Sequence, residues 1–222
     1  MKSSENPLAV VVMSGGMDSA VAGAIVQESG FDLAFLHFNY GQITEPKELW
    51  CVDQLSNHFH PVASKRIDLS EAMIRGDSAL FNGKSREDGV HDKDEYVYFR
   101  NTILGSFAVA WAEVLKAKAV VFGSTGEDHI CPDNSPEFWA AFQKIIGLGT
   151  MKHKDIAIIT PLTDTNKTGV LNRGLQLKVP LEYTWSCHNR IDIACGECSN
   201  CRARLGAFKQ HGMSDLIPYI LR

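Results

Sequence analysis

The sequence predicts an α/β fold, a Rossmann-like parallel sheet flanked by helices and followed by a cysteine-rich helical segment. Two observations support this prediction. Short apolar runs rich in β-branched residues alternate with segments of helical period along most of the 222 residues, as in chains of βα units. Four of the six cysteines then fall within positions 187–201. We therefore expect an α/β domain over 1–178 and a cysteine segment over 179–222 that packs on it.

The elements alternate in the order expected of βα units. The apolar, β-branched runs predict strands at 8–13, 33–38, 62–68, 117–124 and 156–160. Apolar residues at helical spacing predict helices from Asp18 to Gly30 and at 45–58, 102–115, 138–146, 167–177 and 201–209. Gly30 is expected to end the first helix, because glycine readily adopts the left-handed conformation found just after helix ends.

The stretch 76–98 is polar and charged and has no periodicity, so it predicts a long surface excursion. Two interpretations are open for it. It is either a solvated insertion or a segment that becomes ordered over a ligand.

Composition and charge exclude several classes of protein. With 45% apolar and 22% charged residues, the chain is neither disordered nor fibrous. A net charge of -4 gives no basic field that would gather nucleic acid, so no direct nucleic-acid partner is expected. The first residues lack the apolar core of a secretory signal, and no run is long enough to span a bilayer. We therefore expect a cytoplasmic protein without a membrane partner.

The turn SGGMDS, residues 14–19, directly follows the first predicted strand and opens the first helix. Such a turn leaves backbone N–H groups unpaired at the positive end of the helix dipole, which favours an anion. Glycines let the main chain approach phosphate oxygens, and the Ser14 and Ser19 hydroxyls add donors. Asp18 would repel phosphate unless it binds Mg²⁺ or caps the helix. The alternative is an ordinary tight turn, and the Walker sequence is absent.

Cys187, Cys195, Cys198 and Cys201 supply four thiolates at spacings suited to one tetrahedral metal ion. We favour a structural Zn²⁺, because four thiolates leave no open coordination position for catalysis. An iron–sulfur cluster is the alternative, although the ferredoxin pattern would continue to another cysteine followed by proline. A zinc finger for nucleic acid is disfavoured by the acidic balance. Cys51 falls in a predicted helix and is expected to pack in the core.

The SGGMDS turn resembles the pyrophosphate loop (PP-loop) of ATP pyrophosphatases, which cleave ATP to AMP and pyrophosphate. Further stretches narrow the family: FNYGQITEPKEL at 38–49, FRNTILGSFAVAWAEVLKAKAVVFGS at 99–124, TPL at 160–162 and PLEYTWSCHNRIDIACGECSNCRARLGAF at 180–208. Together they resemble the 7-cyano-7-deazaguanine synthase family, known as QueC or ExsB. The resemblance implies that ATP adenylates the carboxylate of 7-carboxy-7-deazaguanine, that ammonia converts it to the amide, and that a second ATP activates the amide for dehydration to the nitrile.

The resemblance also implies cofactors, an assembly and site residues. ATP, Mg²⁺, a four-cysteine structural Zn²⁺ and a homodimer are expected. The residues expected to bind ATP are Met13, Ser14, Gly15, Gly16, Met17, Asp18, Ser19, His37 and Phe38. The residues expected to contact the deazaguanine substrate, or Mg²⁺ in the case of the acids, are Tyr40, Gln42, Arg100, Asn101, Asp128, Asp133, Glu137 and Phe138. Catalysis is assigned to Asp18, Arg100 and Lys167, the last as a cation for charge developing at the α-phosphate. His37 is alternatively an ordinary histidine at a strand end.

The chain departs from the family pattern in the region of the substrate residues. Tyr98 stands where the family has proline before Phe-Arg-Asn, and the stretch 128–138 is one residue shorter, without the family's Gly-Tyr pair and arginine. Losing a glycine and an aromatic residue changes the turn and a wall of the expected base pocket. A second interpretation is therefore a QueC-like paralog of an antiviral system, which activates the same carboxylate but conjugates it to an amine of a protein, such as an N-terminus. A third is an inactive module that binds nucleotide or zinc.

Overall fold

The computed structural model describes residues 6–82, 95–151 and 155–220, which form a five-stranded parallel sheet between two layers of helices. The strands are β1 (Leu8–Val12), β2 (Asp32–Asn39), β3 (Ala63–Asp68), β4 (Ala119–Val121) and β5 (Ala157–Ile159). Their order across the sheet is β3-β2-β1-β4-β5, which places β1 at the centre. Ala9 of β1 pairs with Leu33 of β2 on one side and with Ala119 of β4 on the other.

The α-helices of the described part of the chain are α1 (Met17–Glu28), α2 (Glu45–Phe59), α3 (Arg100–Leu115), α4 (Pro136–Gly149), α5 (Lys167–Gln176) and α6 (Ser199–Gln210). Every predicted strand and helix is present, with ends shifted by at most three residues. Gly30 follows α1 with a φ of +90°, as predicted. Short 3₁₀ helices lie at Ala79–Phe81, Gly126–Ile130, Pro132–Asn134 and Leu181–Tyr183. The sequence does not predict them, because three to five residues carry no clear period.

Alternate residues of the strands enter two cores, one on each face of the sheet. Val11 and Phe35 pack in the core formed with α1, α2 and α5, whereas Val10 and Leu36 pack in the core formed with α3 and α4. Because both faces of the sheet are buried, the central strands read as continuous apolar runs rather than as an alternation. This arrangement leaves the carboxyl ends of the strands as the edge where a site can form.

The stretch 76–98 matches the predicted surface excursion only in part. Residues 83–94 lie outside the described residues. On either side of them, Leu80 and Val97 are buried in the core beside α3, and Glu95 is only 8% exposed. The expectation of an exposed segment is therefore wrong for these flanks, which anchor the stretch in the fold.

The cysteine segment packs on the sheet domain through α6. Phe208 of α6 is buried in the same core as α1 and α5. The fully buried Arg204 of the same helix pairs with Asp215, which fixes the C-terminal stretch. The division of the chain into two units near residue 178 stays a prediction. Over the described ranges, no helix combines the length and the apolar character that a membrane span requires.

Candidate active site and cysteine cluster

A cavity of about 280 Å³ opens beyond the carboxyl ends of β1, β2 and β4. From β1 the chain adds β2 and β3 on one side of the sheet and then β4 and β5 on the other, so the strand order changes direction between β1 and β4. Open α/β sheets bind ligands in the crevice at such a point. The predicted residues that line the cavity are Met13, Ser14, Gly16, Met17, Asp18, Ser19, Phe38, Tyr40, Arg100, Asn101, Asp128 and Asp133. The structure thus brings most of the predicted nucleotide and substrate residues into one cavity.

The SGGMDS turn, which we call the phosphate turn, has a backbone that requires glycine. Gly15 has a φ of +83°, and a Cβ built on it would lie 2.5 Å from the carbonyl oxygen of Glu48. Gly16 is the N-cap of α1 and makes no side-chain capping hydrogen bond. The Ser19 hydroxyl accepts a hydrogen bond from Ser14 N at 3.2 Å and lies 3.0 Å from the Ser14 hydroxyl. The first turn of α1 therefore presents its positive end to the cavity, the arrangement expected of an anion site.

Gly123 is a site residue that the sequence analysis missed. A Cβ at this position would lie 2.7 Å from the backbone N of Ser19, so the main chain after β4 passes directly against the start of α1. A glycine at the end of a buried strand is the signal that could have found it, because such glycines mark close approach of backbones.

Asp18 and Lys167 form an ion pair beside the phosphate turn. Lys167 Nζ donates to the two carboxylate oxygens of Asp18 at 2.8 and 2.6 Å. Burial opposes the charge of this lysine, but the carboxylates of Asp18, Asp128 and Glu127 outweigh it, and the pKa of Lys167 is raised. Glu127 also accepts a hydrogen bond from Lys167 N at 3.2 Å. The lysine is therefore held as a cation at the start of α5.

Arg100 and Tyr40 form a second pair within the cavity. The guanidinium of Arg100 donates to the Tyr40 hydroxyl at 3.1 Å, and its centre lies 5.4 Å from the centre of the Tyr40 ring. Phe81 packs edge-on against the same ring, with centroids 6.2 Å apart. Burial raises the pKa of Tyr40, although the charge of Arg100 lowers it. Tyr40 thus orients a fixed positive charge that can meet a carboxylate or a phosphate.

Asn101 and Asp133 form the third polar pair. Asp133 is 4% exposed and accepts a hydrogen bond from Asn101 N at 2.8 Å, while Asn101 Nδ2 donates to the Asp133 carbonyl at 3.0 Å. Burial raises the pKa of Asp133, against the lowering effect of the Asn101 hydrogen bond and of Arg100. A carboxylate in such a place accepts well from a donor edge of a base.

Some predicted residues lie outside the cavity wall, among them Lys167, which reaches it only through its ion pair with Asp18. Gln42 is buried and spans its own loop, with Tyr40 N donating to its Oε1 at 2.9 Å and its Nε2 donating to Glu48 at 2.9 Å. His37 is 2% exposed, donates from Nδ1 to the Met13 carbonyl at 2.9 Å, and has no partner for Nε2 among the described residues. Gly15 does not line the cavity, and its carbonyl accepts a hydrogen bond from Trp185 N.

Two predicted residues sit on α4 rather than in the cavity. Glu137 is exposed in the first turn of α4. Phe138 packs on Phe142, with ring centroids 5.8 Å apart.

Asp128 does line the cavity, but its Oδ2 accepts hydrogen bonds from Thr125 N and Oγ1, both at 2.8 Å. Asp128 therefore caps the 3₁₀ helix at 126–130.

The four cysteines of the C-terminal segment form a cluster that could bind a metal ion. The Sγ atoms of Cys187, Cys195, Cys198 and Cys201 lie within 4.8 Å of one another. Backbone N–H groups of Cys195, Glu197 and Cys198 donate to these sulfurs at 3.3–3.4 Å, which stabilises thiolates. A tetrahedral ion with metal–sulfur bonds of about 2.3 Å holds its sulfurs about 3.8 Å apart, close to the observed 3.9 Å between Cys195 and Cys201. The donor set therefore fits Zn²⁺.

The cysteine segment also forms part of the cavity wall, which the sequence analysis did not predict. Ser186, Cys187, His188 and Asn200 line the cavity. Trp185 N donates to the Gly15 carbonyl at 2.9 Å and so ties this segment to the phosphate turn. The missed acids Glu48 and Glu95 line the same side, and Glu95 accepts a hydrogen bond from the Ser199 hydroxyl at 3.0 Å. Only tertiary contact reveals these residues, because they are far apart in the chain.

Comparison with known proteins identifies the family. The family described as "Queuosine biosynthesis protein QueC" matches residues 8–212. The chain is 41% identical over 217 residues to the 7-cyano-7-deazaguanine synthase of Methanospirillum hungatei, covering 95% of this chain and 99% of that protein. It is 37% identical over 222 residues to the protein of the same name from Chlorobaculum parvum, covering 96% and 97%. The chain belongs to the QueC family.

Solved structures share the fold of this QueC-family chain at low sequence identity. A 4-thiouridine synthetase, in a crystal structure with RNA and bound ATP, aligns with a TM-score of 0.50 and 17% identity, over 78% of this chain and 41% of that one. The chain thus spans less than half of that protein. NMN synthetase from Francisella tularensis aligns with a TM-score of 0.50 and 14% identity, over 94% of this chain and 78% of that one. At these identities the likeness shows the fold alone.

Proposed function

We propose that this QueC-family chain is an ATP-dependent ligase that converts 7-carboxy-7-deazaguanine and ammonia, through the amide, to 7-cyano-7-deazaguanine. Relatives with this name align over nearly the full chain at up to 41% identity. The observation that carries the proposal is one cavity lined by a glycine turn at a helix start, by Asp18 and by the Arg100–Tyr40 pair. Lys167 does not line the cavity, but its Nζ lies 2.6 Å from the carboxylate of Asp18. An anion site and a second cation suit a triphosphate and a carboxylate.

The proposed reaction has two activation steps. A carboxylate oxygen of the base attacks the α-phosphorus of ATP, pyrophosphate leaves, and ammonia then displaces AMP from the acyl carbon to give the amide. The amide oxygen attacks the α-phosphorus of a second ATP, and pyrophosphate leaves. The nitrogen then loses its two protons while the C–O bond breaks, so that the amide oxygen departs with AMP and the nitrile forms. In both steps negative charge grows at the α-phosphate, where a fixed cation stabilises the transition state.

The proposed roles follow from position and charge. The phosphate turn holds the pyrophosphate portion, and Lys167, buried and paired with Asp18, stabilises the charge at the α-phosphate. Arg100, oriented by Tyr40, binds the carboxylate of the base. Asp133 accepts from the N–H edge of the deazaguanine.

The metals have separate proposed roles. Mg²⁺ would neutralise phosphate charge when bound, and Asp18, the carboxylate of the phosphate turn, lines the cavity and would hold it. Zn²⁺ is proposed for the four-cysteine cluster, where it cross-links the C-terminal segment. We further propose a cytoplasmic homodimer with two packed units, 1–178 and 179–222.

The test is to incubate the purified protein with ATP, Mg²⁺, 7-carboxy-7-deazaguanine and ammonium, and to follow the base and AMP by mass spectrometry. We expect the free nitrile and AMP from the wild type, neither from Lys167→Met, and wild-type rates from Lys144→Met, which removes an exposed lysine of α4. A wild-type protein that forms no AMP would contradict the proposal and favour an inactive nucleotide- or zinc-binding module.

A second candidate reaction is conjugation of the activated base to an amine of a protein, as in QueC-like proteins of antiviral systems. One observation favours it: Cys131, Asp133 and Asn134 of the shortened stretch 128–138 form part of the cavity wall. An altered wall there could admit a larger nucleophile than ammonia. In the same assay, AMP formation with the base attached to protein would select this candidate over the nitrile synthase.

A further inference from the structure

Helix α6 holds the segment 184–187 at two points. At one point Arg204 Nη1 donates to the Thr184 carbonyl at 3.2 Å and to its hydroxyl at 2.7 Å. At the other, the thiol of Cys201 lies in the cysteine cluster with that of Cys187. Cys201 and Arg204 are three positions apart on α6, so both side chains project from one face of the helix. The short segment between the two points is therefore fixed at both ends.

The fixed segment contacts the phosphate turn through one backbone hydrogen bond. Trp185 N donates to the Gly15 carbonyl at 2.9 Å, and Trp185 O lies 3.5 Å from the position that a Cβ of Gly16 would occupy. Because a peptide group is planar, a fixed Gly15 carbonyl also fixes the direction of the Gly16 N–H on its opposite side. That N–H belongs to the N-cap of α1 and donates at 3.2 Å to the hydroxyl of Ser14, which lines the cavity.

Arg204 is itself anchored so that it can serve as a rigid support. Its Nε and Nη2 donate to the two carboxylate oxygens of Asp215 at 2.7 and 3.0 Å, and the side chains are 0% and 1% exposed. Nη2 also donates to the Leu181 carbonyl at 3.0 Å. Replacing a buried ion pair by apolar residues is often neutral for stability, so stability alone is a weak reason for this arrangement. The planar guanidinium of Arg204, with its fixed donors, is however well suited to bind two backbone carbonyls and a carboxylate at once.

We propose that Arg204 is a positioning residue for ATP binding, acting through the Thr184–Trp185 peptide on the phosphate turn. The inference rests on the proposed ATP-binding role of that turn. It gives α6 a part in nucleotide binding without contact to the nucleotide, since Arg204 does not line the cavity. Lysine in its place keeps a charge for Asp215 but has one nitrogen, which cannot also reach Thr184 and Leu181.

The test measures binding of a non-hydrolysable ATP analogue and of 7-carboxy-7-deazaguanine by calorimetry, with the metal content of each protein, at a temperature where all variants are folded. Arg204→Lys is expected to weaken binding of the ATP analogue about tenfold, the effect of a small displacement of preorganised donors. Its metal content and its binding of the base should be unchanged. Arg202→Lys is the matched control, because Arg202 is exposed on the same helix. Thr184→Val, which removes one acceptor of Arg204, is a milder second variant.

Three results would contradict the inference. Wild-type affinity for the analogue in folded Arg204→Lys and Thr184→Val would show that the peptide needs no support from Arg204. Parallel weakening of both ligands, or weakening only with loss of metal, would show a general structural role. A wild-type protein that binds no ATP analogue would contradict the proposed function itself, and the inference with it.

Discussion

Lys167 donates to both carboxylate oxygens of Asp18, although the two residues are 149 positions apart in the chain. Asp18 lies in the first turn of α1 after the central strand, and Lys167 begins α5 after the edge strand. The pair therefore joins two helix starts at the carboxyl edge of the sheet, where both dipoles are positive. It balances a cation that is 7% exposed and keeps it beside the phosphate turn.

Asp18→Asn should abolish AMP formation and lower stability. The substitution leaves the buried Lys167 without its carboxylate, and breaking a buried pair costs up to about 3–5 kcal/mol. The partial exposure of Asp18 places the expected loss at the lower end of that range. Turnover should fall by at least about 100-fold, as for loss of a group that supports the transition state. The measurements are AMP release and thermal unfolding.

Asp164→Asn is the matched control, because Asp164 is an exposed carboxylate three positions before Lys167. It should retain both activity and melting temperature. The metal content should be the same in all three proteins, since Asp18 is not one of the cluster residues. Full activity of Asp18→Asn would refute the assignment of the phosphate turn.

Gly15→Ala should damage the phosphate turn more than an equivalent change elsewhere. Gly15 has a φ of +83°, and its new Cβ would clash with the Glu48 carbonyl at 2.5 Å. Gly30→Ala is a matched control, because Gly30 has a φ of +90° but nothing within 4 Å of the position that a Cβ would occupy. The control should lose about 1 kcal/mol from backbone strain alone. Gly15→Ala should lose more and bind ATP analogues weakly, and equal losses in chemical denaturation would refute the steric argument.

How much the sequence reveals depends on the range of the interaction. The run of β1 is apolar throughout and β2 has the apolar run Leu33–Leu36, because both faces of the sheet are covered, and these runs were enough to predict the two strands. The SGGMDS turn was likewise predictable, since its glycines and strand–helix context are local. Even the cysteine cluster follows from spacing, because its four residues lie within fifteen positions.

Contacts between distant segments were not predictable. Arg204 belongs to the family-like stretch 180–208, yet nothing local indicates that it would be fully buried against Asp215 and Thr184. Gln42 was assigned to the substrate. In the structure its side-chain amide accepts a hydrogen bond from Tyr40 N within its own loop and donates one to Glu48. A polar side chain near a strand end can serve a ligand or its own turn, and only the packing distinguishes the two.

Cys198→Ser should lose the metal and most of the stability of the C-terminal segment. A structural Zn²⁺ contributes about 10–16 kcal/mol of binding free energy in small metal-dependent domains, so the loss of one thiolate is severe. Cys131→Ser is the control, because Cys131 lies in the cavity wall outside the cluster and should leave the metal in place. Metal per chain by mass spectrometry and thermal unfolding are the measurements. A normal melting curve for metal-free Cys198→Ser would contradict a structural site.

Asp133→Asn should make the ligand-free protein more stable relative to the wild type as the pH rises. Burial raises the pKa of Asp133, so the folded state binds its proton more tightly than the unfolded state does. The wild type therefore gains this contribution in full below the ordinary carboxyl pKa of about 3.9 and loses it as the pH rises through the raised value. Asparagine has no proton to lose, so the melting temperature of the variant relative to the wild type should increase over that window, while turnover falls.

Asp68→Asn should show the opposite pH dependence of stability relative to the wild type. Hydrogen bonds from the Ser70 hydroxyl and backbone N–H lower the pKa of Asp68, so the wild type holds this contribution above the ordinary pKa and loses it as the pH falls. The Asp68→Asn protein should therefore be less stable than the wild type at neutral pH, with a difference that shrinks in acid. If Asp133→Asn followed this same trend, the carboxylate of Asp133 would be stabilised by its partners, and burial would not be the dominant effect on its pKa.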